Sequence, residues 1–250
     1  MTVPNLLIVG SQKCGTTWLH RSLGLSRHIF VTARKELNFF NQPHCTDPVA
    51  FAEFCRNFPK QPLPNVEYYM ESTPHYFRVP AIAARNIRTL LGSPILLVVF
   101  RNPVDRYESA YIHHMMRGRF PYTPEITELS DEQSMLSLGR YAQILEQWWE
   151  IHPSLQPFLY DDLQVDPAAF VRQVMAGLGL DCDITPEALD FRTNDKDIKR
   201  GRLGAEWDRM PTLAPALRQR LCAEYYDDVL RLEGLLGRSL RSWTDPDRTA

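Results

Sequence analysis

No stretch of this 250-residue chain approaches the ~18 consecutive apolar residues that a helix needs to cross a bilayer, so no helical span is expected. A basic segment ahead of the first apolar run is also missing. The start, MTVPNLLIVGS, passes from polar residues into a glycine loop, unlike a secretory signal. Cysteine is sparse: five residues, Cys14, Cys45, Cys55, Cys182 and Cys222, odd in number and without a C-x-x-C pair. That pattern suggests neither a disulfide framework nor a zinc motif, and fits reduced thiols in a cytoplasmic protein. With a net charge of -2 there is no global positive field, so neither nucleic acid nor an anionic membrane is an expected partner. Any anion site must be assembled from local basic residues. Repeats, low-complexity tracts and linkers are absent too, and a single domain spanning 1–250 is expected, with 44% hydrophobic residues to supply its core.

What is present alternates between two periodicities. Asn5 to Val9 and Ile95 to Phe100 are short continuous apolar runs, as buried parallel strands require. Ile29 to Thr32, Tyr68 to Glu71 and Pro157 to Tyr160 read as further strands. Between them, Thr16 to Leu25, Ala50 to Asn57, Ala81 to Leu91, Asp105 to Met116, Met135 to Trp149 and Pro167 to Leu178 read as helices. Gly118 to Ser130 is polar and reads as a substrate-side loop. Thr193 to Pro211 is basic and irregular, and Ala214 to Leu236 closes the chain with one or two helices. Strands alternating with helices predict an α/β fold of three layers, P-loop-like, with a mainly parallel central sheet flanked by helices.

Three elements point to phosphate. The first is Gly10-Ser-Gln-Lys-Cys-Gly-Thr-Thr-Trp18, lying between the first strand and the first helix. Glycines allow close backbone approach to an anion, and the helix start presents N–H groups. Gly10 and Gly15 have the spacing of G-x-x-x-x-G-K-[ST], but Thr16 occupies the lysine position and Lys13 lies inside the loop. By itself the glycine pair also fits an ordinary tight turn. The second element is Arg101-Asn-Pro-Val-Asp-Arg-Tyr-Glu-Ser109 after the strongest strand. Arg101 falls at a strand's carboxyl end, where open sheets bind ligands, and Ser109 follows on the adjoining helix. A guanidinium fork with a hydroxyl suits a phosphate monoester, whereas an Arg101–Asp105 surface pair is the plainer alternative. The third is Lys199-Arg-Gly-Arg202, basic residues around Gly201 that either cover a nucleotide or are simply solvated.

Together these motifs resemble the sulfotransferases that use 3'-phosphoadenosine 5'-phosphosulfate, PAPS. The stretch Gly10 to Leu19 is similar to that family's 5'-phosphosulfate loop, and Val99 to Tyr111 to its 3'-phosphate element. Lys35-Glu-Leu-Asn-Phe-Phe40 resembles the K-E-x-x-F-F segment of the heparan-sulfate type enzymes, and Glu71-Ser-Thr-Pro-His-Tyr-Phe77 their E-K-[ST]-P-x-Y-F. Gly139 to Trp149 and Leu235 to Trp243 continue the likeness into the carboxyl half. Two features depart from it: Ser72 stands where the family has lysine, and the family's cysteine-bridged late loop has no counterpart pair.

The resemblance implies transfer of a sulfuryl group from PAPS to a hydroxyl or amine of a carbohydrate, lipid or small metabolite, without a metal. It places Gly10, Ser11, Gln12, Lys13, Cys14, Gly15, Thr16, Thr17 and Trp18 on the 5' phosphosulfate and Arg101 and Ser109 on the 3'-phosphate. Lys199, Gly201 and Arg202 would close over the nucleotide. Lys13 would meet charge on the leaving oxygen, and Glu36 matches the family's base. His75, with a pKa suited to proton transfer, is the second candidate base. Both have plainer readings, Glu36 as a carboxylate paired with Lys35 or Arg34 and His75 as a packed or substrate-facing ring. His113 and His114, on an expected helix, read as structural or surface residues. Trp18, Phe39, Phe40, Tyr76, Phe77 and Tyr111 are candidates for an acceptor cleft or for core. The rival functions are an ATP-dependent P-loop kinase and a non-catalytic nucleotide-binding protein on the same fold. Thr16 at the lysine position and Arg101 at the strand end, in place of a metal-binding aspartate, speak against the kinase.

Overall fold

The structure is a computed structural model that describes residues 2–193 and 207–247. They fall into two compact units, one formed by Met1–Phe100 with Glu146–Arg192, the other by Arg101–Leu145 with Thr193–Ala250.

The first unit is built on a five-stranded sheet in the order β2-β3-β1-β4-β6. Its strands are β1 (Leu6–Gly10), β2 (Ile29–Val31), β3 (Tyr68–Ser72), β4 (Ile95–Phe100) and β6 (Gln156–Leu159). Every pairing in it is parallel, with Leu6 of β1 opposite both Met70 of β3 and Ile95 of β4. Helices α1 (Thr16–Leu23), α2 (Pro48–Phe54), α3 (Pro80–Leu91), α6 (Tyr160–Val165) and α7 (Pro167–Gly177) belong to the same unit. Leu6, Leu7, Ile8, Val9, Leu96, Leu97, Val98 and Phe100 are wholly buried, which is why these runs carry no polar alternation. Burial of each such side chain contributes about 1.5–3 kcal/mol. The central strands are therefore a fixed base for whatever loops leave their ends.

The second unit holds α4 (Pro103–Met116), the two-residue strands β5 (Glu125–Ile126) and β7 (Thr212–Leu213), and α8 (Pro215–Leu236). Asn102 caps α4, its side-chain oxygen accepting from the N–H of Val104 at 2.9 Å. Arg218 of α8 joins Asp105 at 3.3 Å and Glu108 at 3.1 Å on α4.

The parallel sheet flanked by helices is the expected architecture. One expected helix is shorter: α5 runs Tyr141–Trp149, and a single 3-10 turn at Ser137–Gly139 replaces its first part. Asp228 sets the start, accepting from the N–H groups of Ala142 at 3.0 Å and Gln143 at 3.1 Å. The residues ahead of it are held differently, with the Asp131 carboxylate accepting from Leu136 and Ser137 at 2.8 Å each. The last helix is one continuous element, ended by Gly237 at φ 60°. No helix among the described residues is long and apolar enough to cross a membrane.

Candidate active site

The glycine loop leaves the sheet at the end of β1, where the pairing with β4 shifts register between Ile8 and Gly10. Gly10 is required by its neighbour, since a Cβ there would overlap Cβ of Phe77. Ser11 donates its N–H to the carbonyl of Val99 at 3.0 Å, and Cys14 turns back onto the carbonyl of Ser11 at 3.3 Å. Lys13 and Gly15 both take left-handed backbone conformations, with φ of 70° and 83°. A Cβ on Gly15 would meet the ring of Tyr160 at 2.8 Å. The chain then enters α1 with no side-chain cap and no acidic residue in its first turn. An uncapped helix start beside a lysine is electrostatically arranged for an anion. Ser11 Oγ adds a buried hydroxyl with no hydrogen-bond partner among the described residues.

A second cluster stands at the end of β3. Glu36 donates its N–H to the carbonyl of Ser72 at 3.0 Å. Leu37 donates to Glu71 Oε1 at 3.2 Å, and Asn38 to Thr73 Oγ1 at 3.2 Å. Phe39 and Phe40 donate to the hydroxyl of Tyr76 at 3.0 and 3.4 Å. The K-E-L-N-F-F segment is thus bound, residue after residue, by the E-S-T-P-H-Y segment. Lys35 Nζ lies 2.7 Å from Glu36 Oε1, so the pairing anticipated as the plainer reading is present. The Glu36 side chain nonetheless keeps 54% of its surface open, while that of Lys35 keeps 15%.

The electrostatics of this cluster are uneven. Glu71 is wholly buried, and burial pushes its carboxyl up to about 7. The bonds from Thr73 and Leu37, then the charge of Lys35 and the nearby Tyr76 hydroxyl, act in the opposite direction. Burial drives His20 of α1 down to about 4, helped by Lys35 and Arg21 and opposed by Glu36. His75 reaches the surface; partial desolvation of its ring and then Arg78 lower its pKa, while Glu36 opposes them. Beside α1 and β2 lies a cavity of about 590 Å³, lined among others by Thr17, His20, Arg21, Lys35 and Phe191.

Of the aromatic residues offered for an acceptor cleft, Phe40, Tyr76 and Phe77 are core, each wholly buried. Phe77 stacks on Trp148 with an interplanar angle of 9°. Trp18 is also covered and stacks on Phe191 at 5.6 Å. Phe39 is half-buried and stacks on Phe54 at 4.3 Å, and Tyr111 is half-buried on α4.

In the second unit, Arg101 is half-buried just ahead of the Asn102 cap, and Ser109 is buried on α4. Ser109 lies seven positions after the Asn102 cap, nearly two turns, so both lie on one side of the helix. The carboxylate of Asp105 is engaged by Arg218. His114 is buried and meets Arg119 at 3.0 Å, in keeping with a structural role. Lys199, Gly201 and Arg202 lie outside the described residues. Among the described residues, no group of three or more His, Cys, Asp or Glu side chains is placed to hold a metal ion.

Sequence reasoning singled out Lys13, Glu36 and His75 but gave no role to His20, Glu71 or Thr73. Two signals for Glu71 are available in the sequence: a glutamate ending the otherwise apolar strand Tyr-Tyr-Met-Glu, and its place at the head of the E-S-T-P-H-Y-F segment. His20 lay unmarked on a helix face.

The sulfotransferase domain family matches this chain over residues 3–195. Among curated proteins, the human bifunctional heparan sulfate N-deacetylase/N-sulfotransferase 2 is 29% identical over 221 residues, covering 80% of this chain. The chain spans only 24% of the length of that relative. Among solved structures, a sulfotransferase from Alicyclobacillus acidocaldarius matches with a TM-score of 0.76 at 24% identity, over 98% of this chain and 100% of that one. A mouse sulfotransferase complexed with PAP matches with a TM-score of 0.53 at 11% identity, over 94% of this chain and 89% of that one. Likeness at these identities is one of fold.

Proposed function

Because the chain belongs to the sulfotransferase domain family, we propose that it moves a sulfuryl group from PAPS to a hydroxyl or amine of a carbohydrate, lipid or small metabolite. Residues 1–250 act in this reading as one catalytic domain. The observation that carries it is Lys13, held at φ 70° within a loop that opens onto the uncapped start of α1. A P-loop kinase places its lysine after the second glycine, on the helix, where this chain has the buried Thr16. Lys13 is set back into the loop, a position suited to the bridging oxygen of a 5' phosphosulfate. The unpartnered Ser11 hydroxyl and the α1 amides suit its remaining oxygens.

PAPS supplies an activated sulfuryl group on a phosphate leaving group. The protein supplies alignment and charge. In an in-line displacement the acceptor oxygen or nitrogen bonds to sulfur as the bond from sulfur to the bridging oxygen breaks. Glu36 takes the proton the acceptor sheds, through the open part of its carboxylate. Lys13 neutralises the charge that gathers on the phosphate oxygen. Arg101 and Ser109 take the role of 3'-phosphate ligands, which distinguishes this donor from ATP. Lys199, Gly201 and Arg202 keep their assignment as nucleotide-covering residues. His75 is the alternative base, since its lowered pKa leaves the imidazole neutral and able to accept a proton at pH 7. Ser72 in place of a lysine leaves one cation fewer for a polyanionic chain, which favours a smaller or less charged acceptor.

Calorimetric titration with PAP and with ATP plus magnesium tests the donor. PAP binding at micromolar concentration without comparable ATP binding is the expected result, and tight ATP binding without PAP binding overturns the reading. Transfer of labelled sulfate from PAPS to 4-nitrophenol, glucosamine, dodecanol and N-deacetylated heparin then sorts the acceptor class.

A further inference from the structure

Five consecutive backbone N–H groups, from Glu36 to Phe40, donate to acceptors on Glu71, Ser72, Thr73 and Tyr76. Two residues of the bound segment, Glu36 at φ 65° and Asn38 at φ 53°, hold a left-handed backbone. For residues other than glycine this costs roughly 1–2 kcal/mol each, so the conformation persists only where its surroundings impose it. The segment that imposes it is itself anchored, because Thr73 donates its N–H to the carbonyl of Ile8 in β1 at 3.1 Å.

Glu71 is the node of this arrangement. Its Oε1 accepts both the Leu37 N–H and the Thr73 hydroxyl proton. A threonine hydroxyl has one proton to give, and giving it to Glu71 leaves a lone pair for the N–H of Asn38. The second oxygen, Oε2, is buried and has no hydrogen-bond partner among the described residues. A proton can therefore settle on Oε2 without disturbing the bonds made by Oε1. As a packing element alone, a wholly buried carboxyl would be inferior to leucine or methionine of similar size. Its benefit lies in the loop it holds.

We propose that Glu71 is a positioning residue: through Leu37 and Thr73 it sets the backbone that carries Glu36, and through Thr73 and Ile8 it registers Glu36 against the strand from which the Lys13 loop departs. The inference rests on reading Glu36 as the base. Glu71 touches neither donor nor acceptor in this role. It acts by keeping the carboxylate of Glu36 at one place relative to the loop.

The test compares Glu71→Gln, which preserves the accepting oxygen and resembles the carboxyl protonated on Oε2, with Glu71→Leu, which removes the acceptor at similar volume. Two quantities are measured on the full-length chain: amide hydrogen exchange over residues 35–41, and the rate of labelled-sulfate release from PAPS to water. Glu71→Gln is expected to stay within about threefold of the wild type in both. Glu71→Leu is expected to exchange faster over 35–41 and to lose up to about 100-fold in kcat, the scale of an ångström-sized misplacement. The KM for PAPS should stay within about threefold, a split that general loss of packing would not give. If Glu71→Leu does not fold, Thr73→Val removes the acceptor for Asn38 with little change in shape and is expected to show the same split. Unchanged exchange and unchanged kcat in whichever variant folds overturns the proposal. Glu36→Gln separates the two ideas. If that variant stays active while the clamp variants still loosen 35–41, the clamp stands and the base assignment falls. If Glu36→Gln is inactive and the clamp variants change nothing, the base stands and the positioning role falls.

Discussion

The backbone N–H of Thr73 meets the carbonyl of Ile8 at 3.1 Å. That bond carries the parallel β1–β3 pairing past the end of β3, two residues before Gly10, so the loop with Lys13 and the segment with Glu36 share one frame. The frame is rigid because Leu6 to Val9 are wholly buried, and chemistry that depends on alignment needs such a base.

Lys13→Ala is expected to lower kcat for sulfate transfer by about 100- to 1,000-fold, the usual consequence of losing one donor to a developing oxyanion. Lys13 is half-buried in a loop, so thermal unfolding should move little. Labelled-sulfate transfer and a melting curve on the same sample check both parts.

Glu36→Gln and His75→Gln separate the two bases. Loss of the base costs about 100- to 10,000-fold, expected for Glu36→Gln and not for His75→Gln, which should stay within about tenfold. The reverse order in transfer rates would reassign the base to His75.

Stability should depend on pH through two opposed groups. Glu71 has a folded pKa of about 7, above its ordinary value of 4.5, so from 4.5 to 7 the folded state holds more protons and stability falls as pH rises. His20 has a folded pKa of about 4, below its ordinary 6.5, so from 4 to 6.5 the unfolded state holds more protons and stability rises with pH. Each effect is worth roughly 3 kcal/mol over its window, and across most of that range the two offset each other. Urea unfolding from pH 4.5 to 7 should therefore show a steep rise with pH in Glu71→Gln and a steep fall in His20→Asn. A Glu71→Gln profile with the same slope as the wild type would contradict the assignment.

Gly15→Ala meets two obstacles, the backbone at φ 83° and the ring of Tyr160 at 2.8 Å from the new Cβ. A loss of about 1–3 kcal/mol in unfolding free energy is expected, together with weaker PAP binding. In a Tyr160→Ala background only the ring's share should be relieved, and a full recovery would show that the backbone conformation costs nothing.

Arg101→Lys keeps the charge but loses the two-pronged guanidinium. Its Kd for PAP should rise by about tenfold or more, while that for adenosine 5'-phosphosulfate, which lacks the 3'-phosphate, should stay within about twofold. Equal weakening of both ligands would remove Arg101 from the 3'-phosphate.

The central strands were legible because burial on both faces leaves continuous apolar runs, and β4 begins and ends where Ile95 to Phe100 does. The glycine loop was legible because Gly10 and Gly15 mark the turn in the sequence, although the side chains that require them, Phe77 and Tyr160, come from distant segments. The start of α5 was not, because the carboxylate that caps it, Asp228, lies 86 residues from Ala142 in the chain. For Phe40, Tyr76 and Phe77, which the sequence leaves open between an acceptor cleft and the core, the structure decides for the core.

By itself, then, the sequence determined the alternation of strands and helices and the loop between β1 and α1, since each depends on neighbours a few positions apart. The tertiary structure alone decided what holds Glu36 in place. The partners of residues 36–40 come from a segment more than thirty positions on, and only the parallel sheet brings that segment to the end of β1. The unusual pKa values of Glu71 and His20 have the same origin, because desolvation arises from every element packed around a side chain and is written at no single position of the chain.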